Sequence, residues 1–214
     1  MRSLFRGHRA LLATHRGFDP GARSLARDLA VALDAPVVTS TVSRLVVDLN
    51  RSIGHPRLFS PVTRALPREV RASIVARHYR PYREQVERLV AQRVALGHRV
   101  IHVSSHSFTP VLGGKVRRAD VGLLYDPGRR GEVALCARWK AALAVRDPAL
   151  RVRRNYPYAG KGDGLTAYLR RRFPAKAYVG IELEVNQRIV LAKGRPWAAL
   201  RGALVDSLRM ACDR

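Results

Sequence analysis

The chain has little cysteine and no long apolar run. Its two cysteines, Cys136 and Cys212, stand apart from any CxxC or Cys/His spacing, so neither a disulfide framework nor a thiolate metal site is indicated. No apolar stretch approaches the ~20 residues that cross a bilayer, and the first residues lack the apolar segment of a secretory signal. We therefore expect a cytoplasmic protein that does not contact a membrane.

Acidic residues are also scarce, with 16 Asp and Glu against 40 Lys and Arg, which gives a formal charge of +24. Such an excess attracts anions, either nucleic acid or small acidic substrates. The basic residues are scattered from Arg2 to Arg214, and no RNA-binding strand motif, zinc finger or recognition helix accompanies them. Nucleic-acid binding is therefore not favoured as the main function, but charge alone does not choose between it and a small anionic substrate.

The apolar pattern alternates between helical and strand spacing along the chain. Leu25, Leu29 and Leu33 share one helical face, which predicts a helix over residues ~21–34. The other predicted elements are strands at VVTS and RLVVDLN, helical turns over ~67–97 interrupted at Pro81, a buried parallel strand at RVIHVSS, strands at ADVGLLYD, LRVRRN and AYVGIELEVN, and helices over ~131–145, LTAYLRRRF and ~196–210. This order predicts an α/β fold: a single three-layer domain, residues 1–214, with a mostly parallel sheet flanked by helices.

Ligands of such sheets gather at the carboxyl ends of the strands, and a histidine stands at one of these ends. His106 follows an apolar run and is surrounded by serines. A neutral imidazole at this place suits a metal ion, with Ser105 or Ser107 orienting the ring. The alternative is an ordinary loop histidine with satisfied hydrogen bonds.

The segment SRLVVDLNRS places Arg44, Asp48 and Asn50–Arg51 on one short element. Arginine binds carboxylates through a planar fork of donors, and an adjacent amide adds another donor. Asn50–Arg51 at a strand end therefore suits recognition of a substrate carboxylate. A structural ion pair of Asp48 with Arg44 or Arg51 is an equally good interpretation.

Two glutamates lie two residues apart in GIELEVNQ, so Glu182 and Glu184 point to the same face of the predicted strand. Burying two carboxylates is costly unless a cation or a chemical role compensates. A glutamate beside a metal-bound water would serve as its general base. The alternative is an edge strand whose acids are solvated.

Two polar loops complete the candidate set. THRGFDPGA carries His15 and Asp19, which could touch the site, although Asp19 before Pro20 is better interpreted as a helix N-cap. NYPYAGKGDGLT carries Tyr158 as a candidate substrate-binding residue. Its three glycines predict a flexible lid or anion cradle, although the loop matches no phosphate-binding motif.

Taken in order, the segments HRGFDPGA, LARDLAVAL, SRLVVDLNRS, HYRPYREQV, SSHSFTP, NYPYAGKGDG and GIELEVNQ resemble the N-formylglutamate amidohydrolase family over residues ~5–190. That family is distantly similar to zinc carboxypeptidases and aspartoacylases. The resemblance implies a similar fold and zinc-dependent hydrolysis of an N-formyl or N-acyl acidic amino acid such as N-formylglutamate, giving formate and the amino acid.

The resemblance also implies roles for the candidate residues. Asn50–Arg51 would grip the substrate carboxylate, and Arg44 would help to polarise the scissile carbonyl. His106 would be a zinc ligand. Glu184 would be the general base, with Glu182 as the alternative base.

The chain departs from this pattern at the metal site. In the superfamily, a histidine and a nearby acid after an opening strand supply the first two zinc ligands. No histidine here is followed by Asp or Glu three positions later, and His15 with Asp19 is the nearest substitute. We therefore expect a domain that lacks an N-terminal strand, with the chain start misplaced or the metal site lost. A metal-free relative that binds a carboxylate is the alternative function.

Overall fold

A computed structural model describes residues 2–192 and 195–213. Four strands form the main sheet in the order β1-β6-β4-β5, and β2 and β3 form a separate hairpin. The strands are β1 (Val100–Phe108), β2 (Val111–Leu112), β3 (Lys115–Val116), β4 (Val121–Leu124), β5 (Val152–Arg154) and β6 (Tyr178–Asn186). β1 and β6 are parallel, as are β4 and β5, whereas β4 and β6 are antiparallel. The prediction of a mostly parallel sheet is confirmed.

Helices surround this sheet and follow the predicted order. They are a 3₁₀ helix (Arg2–His8), α1 (Arg9–Leu12), α2 (Ala22–Ala32), α3 (Pro61–Arg64), α4 (Arg68–Ile74), a π-helical segment (Val75–Tyr79), α5 (Arg80–Ala95), α6 (Arg130–Arg146), α7 (Leu165–Arg172), α8 (Gln187–Leu191) and α9 (Arg195–Cys212). The interruption predicted at Pro81 takes the form of the π segment before α5, a wider turn that lets the helical run continue.

The two faces of the sheet have different coverings. Alternate residues of β6, namely Val179, Ile181, Leu183 and Val185, are at most 1% exposed and belong to the main apolar core with residues of α2, α6 and α9. On the opposite face, Tyr178 packs with residues of α5 and α7. This alternation follows from the two-residue period of a strand. It confirms the predicted three-layer α/β arrangement.

The two strands predicted before residue 51 are absent from the described structure. Residues 37–43 have no regular structure, and turns are formed only at residues 44–46 and 49–50. Leu45, Val46 and Val47 are instead buried in a second apolar cluster with Phe5 and Ile74. β-Branched residues are favoured in strands mainly because of how they pack, so a core site outside the sheet satisfies them equally well.

The strand β1 differs from its prediction in its burial and in the place of His106. The strand pairs in parallel with β6, as expected, but it forms the edge of the described sheet, and most of its residues are only half-buried. His106 lies within β1 rather than just beyond it.

Neither cysteine is bonded, with Cys136 buried and Cys212 exposed. Across residues 2–192 and 195–213, no helix has the length and apolar character needed to cross a bilayer. The cytoplasmic location stays a prediction.

Candidate active site

The site is centred on the face of β1 and β6 that points away from the main core. The register pairs His106 with Glu184 and Ser104 with Glu182. Paired residues on neighbouring strands project to the same face, so these four side chains lie together. β6 is an interior strand, which contradicts the alternative of solvated acids on an edge strand.

Asp19 reaches this cluster from the loop before α2. Its Oδ2 lies 2.8 Å from His106 Nδ1, and its Oδ1 accepts a hydrogen bond from Arg44 Nη1 at 2.9 Å. The N-cap interpretation of Asp19 was therefore wrong. The N-cap of α2 is Gly21, which has φ of +77° and provides no side-chain cap. Only glycine adopts such a turn without strain, and the turn frees the Asp19 carboxylate to face β1.

The His106 ring is held on both nitrogens. Asp19 contacts Nδ1, and Ser104 Oγ lies 3.0 Å from Nε2. Ser105 and Ser107 do not orient the ring, because side chains alternate along a strand and these two point to the other face. Ser105 Oγ instead donates to a backbone carbonyl of α2, and Ser107 accepts a hydrogen bond from Gln187.

The electrostatic surroundings keep His106 protonated. Burial alone would lower its pKa, but the hydrogen bond and charge of Asp19, with the charges of Glu184 and Glu182, raise that pKa to about 9. Burial alone would raise the pKa of Asp19, but the hydrogen bonds and charges of His106 and Arg44 lower it overall. At neutral pH the two side chains therefore form an ion pair.

Glu184 differs from Glu182 in its hydrogen bonding. Glu184 is 6% exposed, and its Oε2 is buried with no hydrogen-bond partner among the described residues. Burial raises the pKa of Glu184 to about 7, against the opposing charge of His106. Glu182 Oε1, in contrast, accepts a hydrogen bond from Thr166 Oγ1 at 2.7 Å. Glu184 is therefore a buried carboxylate with one oxygen that has no hydrogen-bond partner among the described residues.

Arg44 forms ion pairs with Asp19 and Asp48 beside the cluster. Its Nη1 bonds to Asp19, and its Nη2 bonds to Asp48 Oδ2 at 3.0 Å. Burial alone would lower the pKa of Arg44, but the charges and hydrogen bonds of Asp48 and Asp19 raise it. The predicted structural ion pair of Asp48 with Arg44 is thus present. This ion pair holds the Arg44 guanidinium in place, and the Arg44 side chain is 40% exposed.

Asn50 and Arg51 contact the glycine-containing loop of residues 155–164. Asn50 Oδ1 accepts a hydrogen bond from the backbone N–H of Leu165, at the start of α7. Arg51 Nη1 donates to the Asp163 carbonyl at 2.8 Å. Both side chains therefore help to hold the loop in place, and their assignment to a substrate carboxylate stays a prediction.

Two glycines of the loop are closely packed, and the flexible lid stays a prediction. A Cβ on Gly160 would lie 2.2 Å from the backbone nitrogen of Tyr125, and one on Gly164 would lie 2.8 Å from Glu182 Oε1. Glycine is needed at both positions for close packing. The loop also carries Tyr158, which is 46% exposed and accepts a hydrogen bond from Arg117.

A cleft of about 1180 Å³ opens beside the cluster, along the outer edge of β1. Its polar lining includes Asp19, Arg44, Asp48, Asn50 and His106. A cleft of this size with convergent charged groups is the usual form of a small-molecule site.

The zinc site implied by the resemblance depends on the donor groups around His106. A catalytic zinc usually has three protein ligands and a water. His106 and Asp19 could supply two ligands, but the described residues contain no group of three His, Cys, Asp or Glu side chains placed to hold a metal ion. These residues do not complete a zinc site, so zinc stays a prediction from resemblance.

Comparison with known proteins identifies the family and structures of similar fold. Residues 3–191 match the N-formylglutamate amidohydrolase family. A crystal structure of a gene product of Agrobacterium tumefaciens is 30% identical, with a TM-score of 0.81 over 96% of this chain and 81% of that chain.

A second solved structure has the same fold at lower identity. It is an N-formylglutamate amidohydrolase from Ralstonia eutropha JMP134, 20% identical, with a TM-score of 0.64 over 90% of this chain and 81% of that one. No curated protein matches the chain. The family match covers most of the chain, including His106 and Glu184, and on this evidence the chain belongs to the N-formylglutamate amidohydrolase family.

Proposed function

We propose that the protein hydrolyses the amide of an N-formyl or N-acyl acidic amino acid such as N-formylglutamate. The observation that carries this proposal is the buried Glu184 carboxylate, which has an unpartnered oxygen beside the protonated His106. A carboxylate whose pKa lies near 7 is well matched to accept a proton from water at neutral pH. Family membership supplies the reaction type.

The residues suggest a division of roles. Glu184 takes a proton from a water molecule, whose oxygen then bonds to the formyl carbon. The positive charges of His106 and Arg44 stabilise the negative charge that develops on the carbonyl oxygen. The carbon–nitrogen bond breaks, and the proton held by Glu184 passes to the leaving amine. The products are formate and the free amino acid.

Substrate binding is assigned to cationic and polar groups around the cleft. Asn50 and Arg51 are proposed to hold a carboxylate through donors that remain beyond their contacts with the loop. Tyr158 lies at the exposed side of the same loop and would contact the substrate there. The charge of +24 raises the local concentration of an anionic substrate.

Zinc is part of the proposal through the family resemblance alone. A bound zinc would activate water and polarise the carbonyl, but the described residues do not complete a site for it. The steps given above use only the protein's own side chains.

Formate release from N-formyl-L-glutamate, measured with and without added zinc, tests the proposal. We expect turnover that is lost in the Glu184→Gln variant. Turnover only with zinc would establish the metal dependence. If wild-type protein in both conditions releases no formate from N-formylated glutamate, aspartate or glutamine, the hydrolase proposal is wrong.

The incomplete zinc site favours a second candidate, a metal-free relative that binds a carboxylate ligand without hydrolysing it. This protein would contain less than stoichiometric zinc when purified with zinc present. It would bind N-formyl-L-glutamate in a calorimetric titration and leave it intact. Formate release would rule this candidate out.

A further inference from the structure

Arg117 directly follows β3 of the β2–β3 hairpin and lies near the carboxyl ends of β1 and β6. The hairpin turns through Gly113 and Gly114, whose φ angles are +56° and +74°, as a tight two-residue turn requires. The Arg117 N–H donates to the Pro110 carbonyl at 2.7 Å, and its own carbonyl accepts from Asn186 Nδ2 at 3.0 Å. The Arg117 backbone is therefore fixed relative to the two strands that carry the site.

The Arg117 guanidinium lies over the site face of the sheet. Its central carbon is 5.9 Å from the centre of the Phe108 ring and 5.0 Å from that of Tyr158, and Nη1 donates to the Tyr158 hydroxyl at 3.0 Å. Phe108 follows His106 by two residues in β1, so both side chains are on one face, about 7 Å apart along the strand. Arg117 thus sits one side-chain position beyond the His106–Glu184 pair.

The charge of Arg117 is not neutralised by a neighbour. Arg44 binds two carboxylates, but no carboxylate lies within salt-bridge distance of Arg117 among the described residues. Both arginines are close to His15, whose pKa is lowered first by burial and then by neighbouring positive charges that include these two. A half-buried guanidinium stacked on aromatic rings loses little freedom on meeting an anion.

We propose that Arg117 binds the side-chain carboxylate of the acidic N-acyl amino acid and so selects acidic over neutral substrates. This inference rests on the proposed function of the same site. When the amide lies between His106 and Glu184, the side-chain carboxylate extends several bonds further, a reach comparable with the spacing from His106 to Phe108. The planar fork of Arg117 can bind that carboxylate through two hydrogen bonds.

Binding of two matched ligands tests this role. N-formyl-L-glutamate and N-formyl-L-glutamine have nearly the same size, and only the first has a charged side chain. Calorimetric titrations in a Glu184→Gln background avoid turnover. We expect Arg117→Gln to weaken binding of the glutamate ligand about 10- to 100-fold, as the loss of a charge-assisted hydrogen bond does. Binding of the glutamine ligand should change less than about twofold.

Arg118→Gln is the matched control, because Arg118 is an exposed neighbour and its loss lowers the net charge equally. It should change the affinity for either ligand by less than about twofold. Arg117→Lys keeps the charge but loses the fork, so it should recover part of the affinity for the glutamate ligand alone. If Arg117→Gln does not fold, as judged by thermal unfolding, the lysine variant decides by the same comparison of ligands.

Four outcomes overturn the inference. Equal losses in Arg117→Gln and Arg118→Gln would show only a general field effect. Equal losses for both ligands in Arg117→Gln would show a structural role. If the protein with Arg117 intact binds both ligands alike, the inference fails and the proposed hydrolysis stands. If it binds neither ligand, the inference and the proposed function fail together.

Discussion

The two faces of β6 differ in what they contribute to the protein. One face carries Ile181 and Leu183, both fully buried in the apolar core. The other carries Glu182 and Glu184, beside a histidine of the neighbouring strand. Buried carboxylates oppose folding unless they are paired, whereas buried leucines favour it. The core face of β6 therefore contributes mainly to stability, and its polar face contributes mainly to chemistry. Substitutions on the core face should lower stability more than activity, and substitution of Glu184 should lower activity more than stability.

The largest effect on activity is expected from Glu184→Gln. Formate release should fall about 10²- to 10⁴-fold, as for loss of a general base. The pKa of this carboxyl is raised from 4.5 to about 7, so its ionisation destabilises the folded state as pH rises through that interval. At about pH 8, the variant should therefore be at least as stable as wild type in urea unfolding.

Glu182→Gln is the control on the same face. It leaves Glu184 in place and alters the acceptor of the Thr166 hydroxyl, so we expect a stability loss of about 1 kcal/mol and a much smaller loss of turnover. Equal loss of turnover in the two variants would contradict the assignment of Glu184 as the base.

Leu183→Ala tests the core face. The side chain is fully buried, so its truncation should lower the free energy of unfolding by about 2–5 kcal/mol in urea titrations. Turnover per folded molecule should stay within about threefold of wild type, because the Leu183 side chain points to the face of β6 opposite Glu184. A loss of turnover as large as that in Glu184→Gln would contradict the assignment of the core face to stability and the polar face to chemistry.

Asp19→Asn tests the ion pair at the edge of the site. The variant removes a negative charge from His106 and Arg44, so the pKa of His106 should fall from about 9. We expect an unfolding free energy about 1.5–3 kcal/mol lower than that of wild type near pH 7. A titration of the imidazole by nuclear magnetic resonance measures the first effect. An unchanged pKa would show that Asp19 does not hold the proton on His106.

The pH dependence of stability gives a separate test of the protonation of His106. Its pKa is raised from 6.5 to about 9 on folding, so its protonated form stabilises the fold fully below pH 6.5, and this contribution is lost as pH rises through about 9. The stability difference between wild type and His106→Gln should therefore shrink between about pH 6 and about pH 10. A difference that grows over this range would reverse the predicted sign.

Sequence patterns predicted the elements whose periodicity is local and strong. The alternation in β6 and the helical spacing in α2 and α7 are such cases, and parity alone placed Glu182 and Glu184 on one face. The segment at residues 44–50 was predicted wrongly, because its β-branched residues pack in a separate core without a strand partner.

The N-cap role favoured for Asp19 was wrong for a different reason. Its partner His106 lies 87 residues away, and the contact depends on the positive φ of Gly21, which local pattern does not reveal. The glycine after Pro20 and the place of Asp19 within the family-like HRGFDPGA segment were the available signals. The contacts of Asn50 and Arg51 with the 155–164 loop likewise depend on long-range packing.

The most direct test of the site is a crystal structure of the Glu184→Gln variant with N-formyl-L-glutamate. The ligand should lie on the polar face of β1 and β6, with its formyl oxygen within about 3 Å of a donor from His106 or Arg44. Its formyl carbon should face the side chain at position 184. A ligand bound elsewhere, or one in the cleft with its formyl group turned away from these residues, would contradict the assignment.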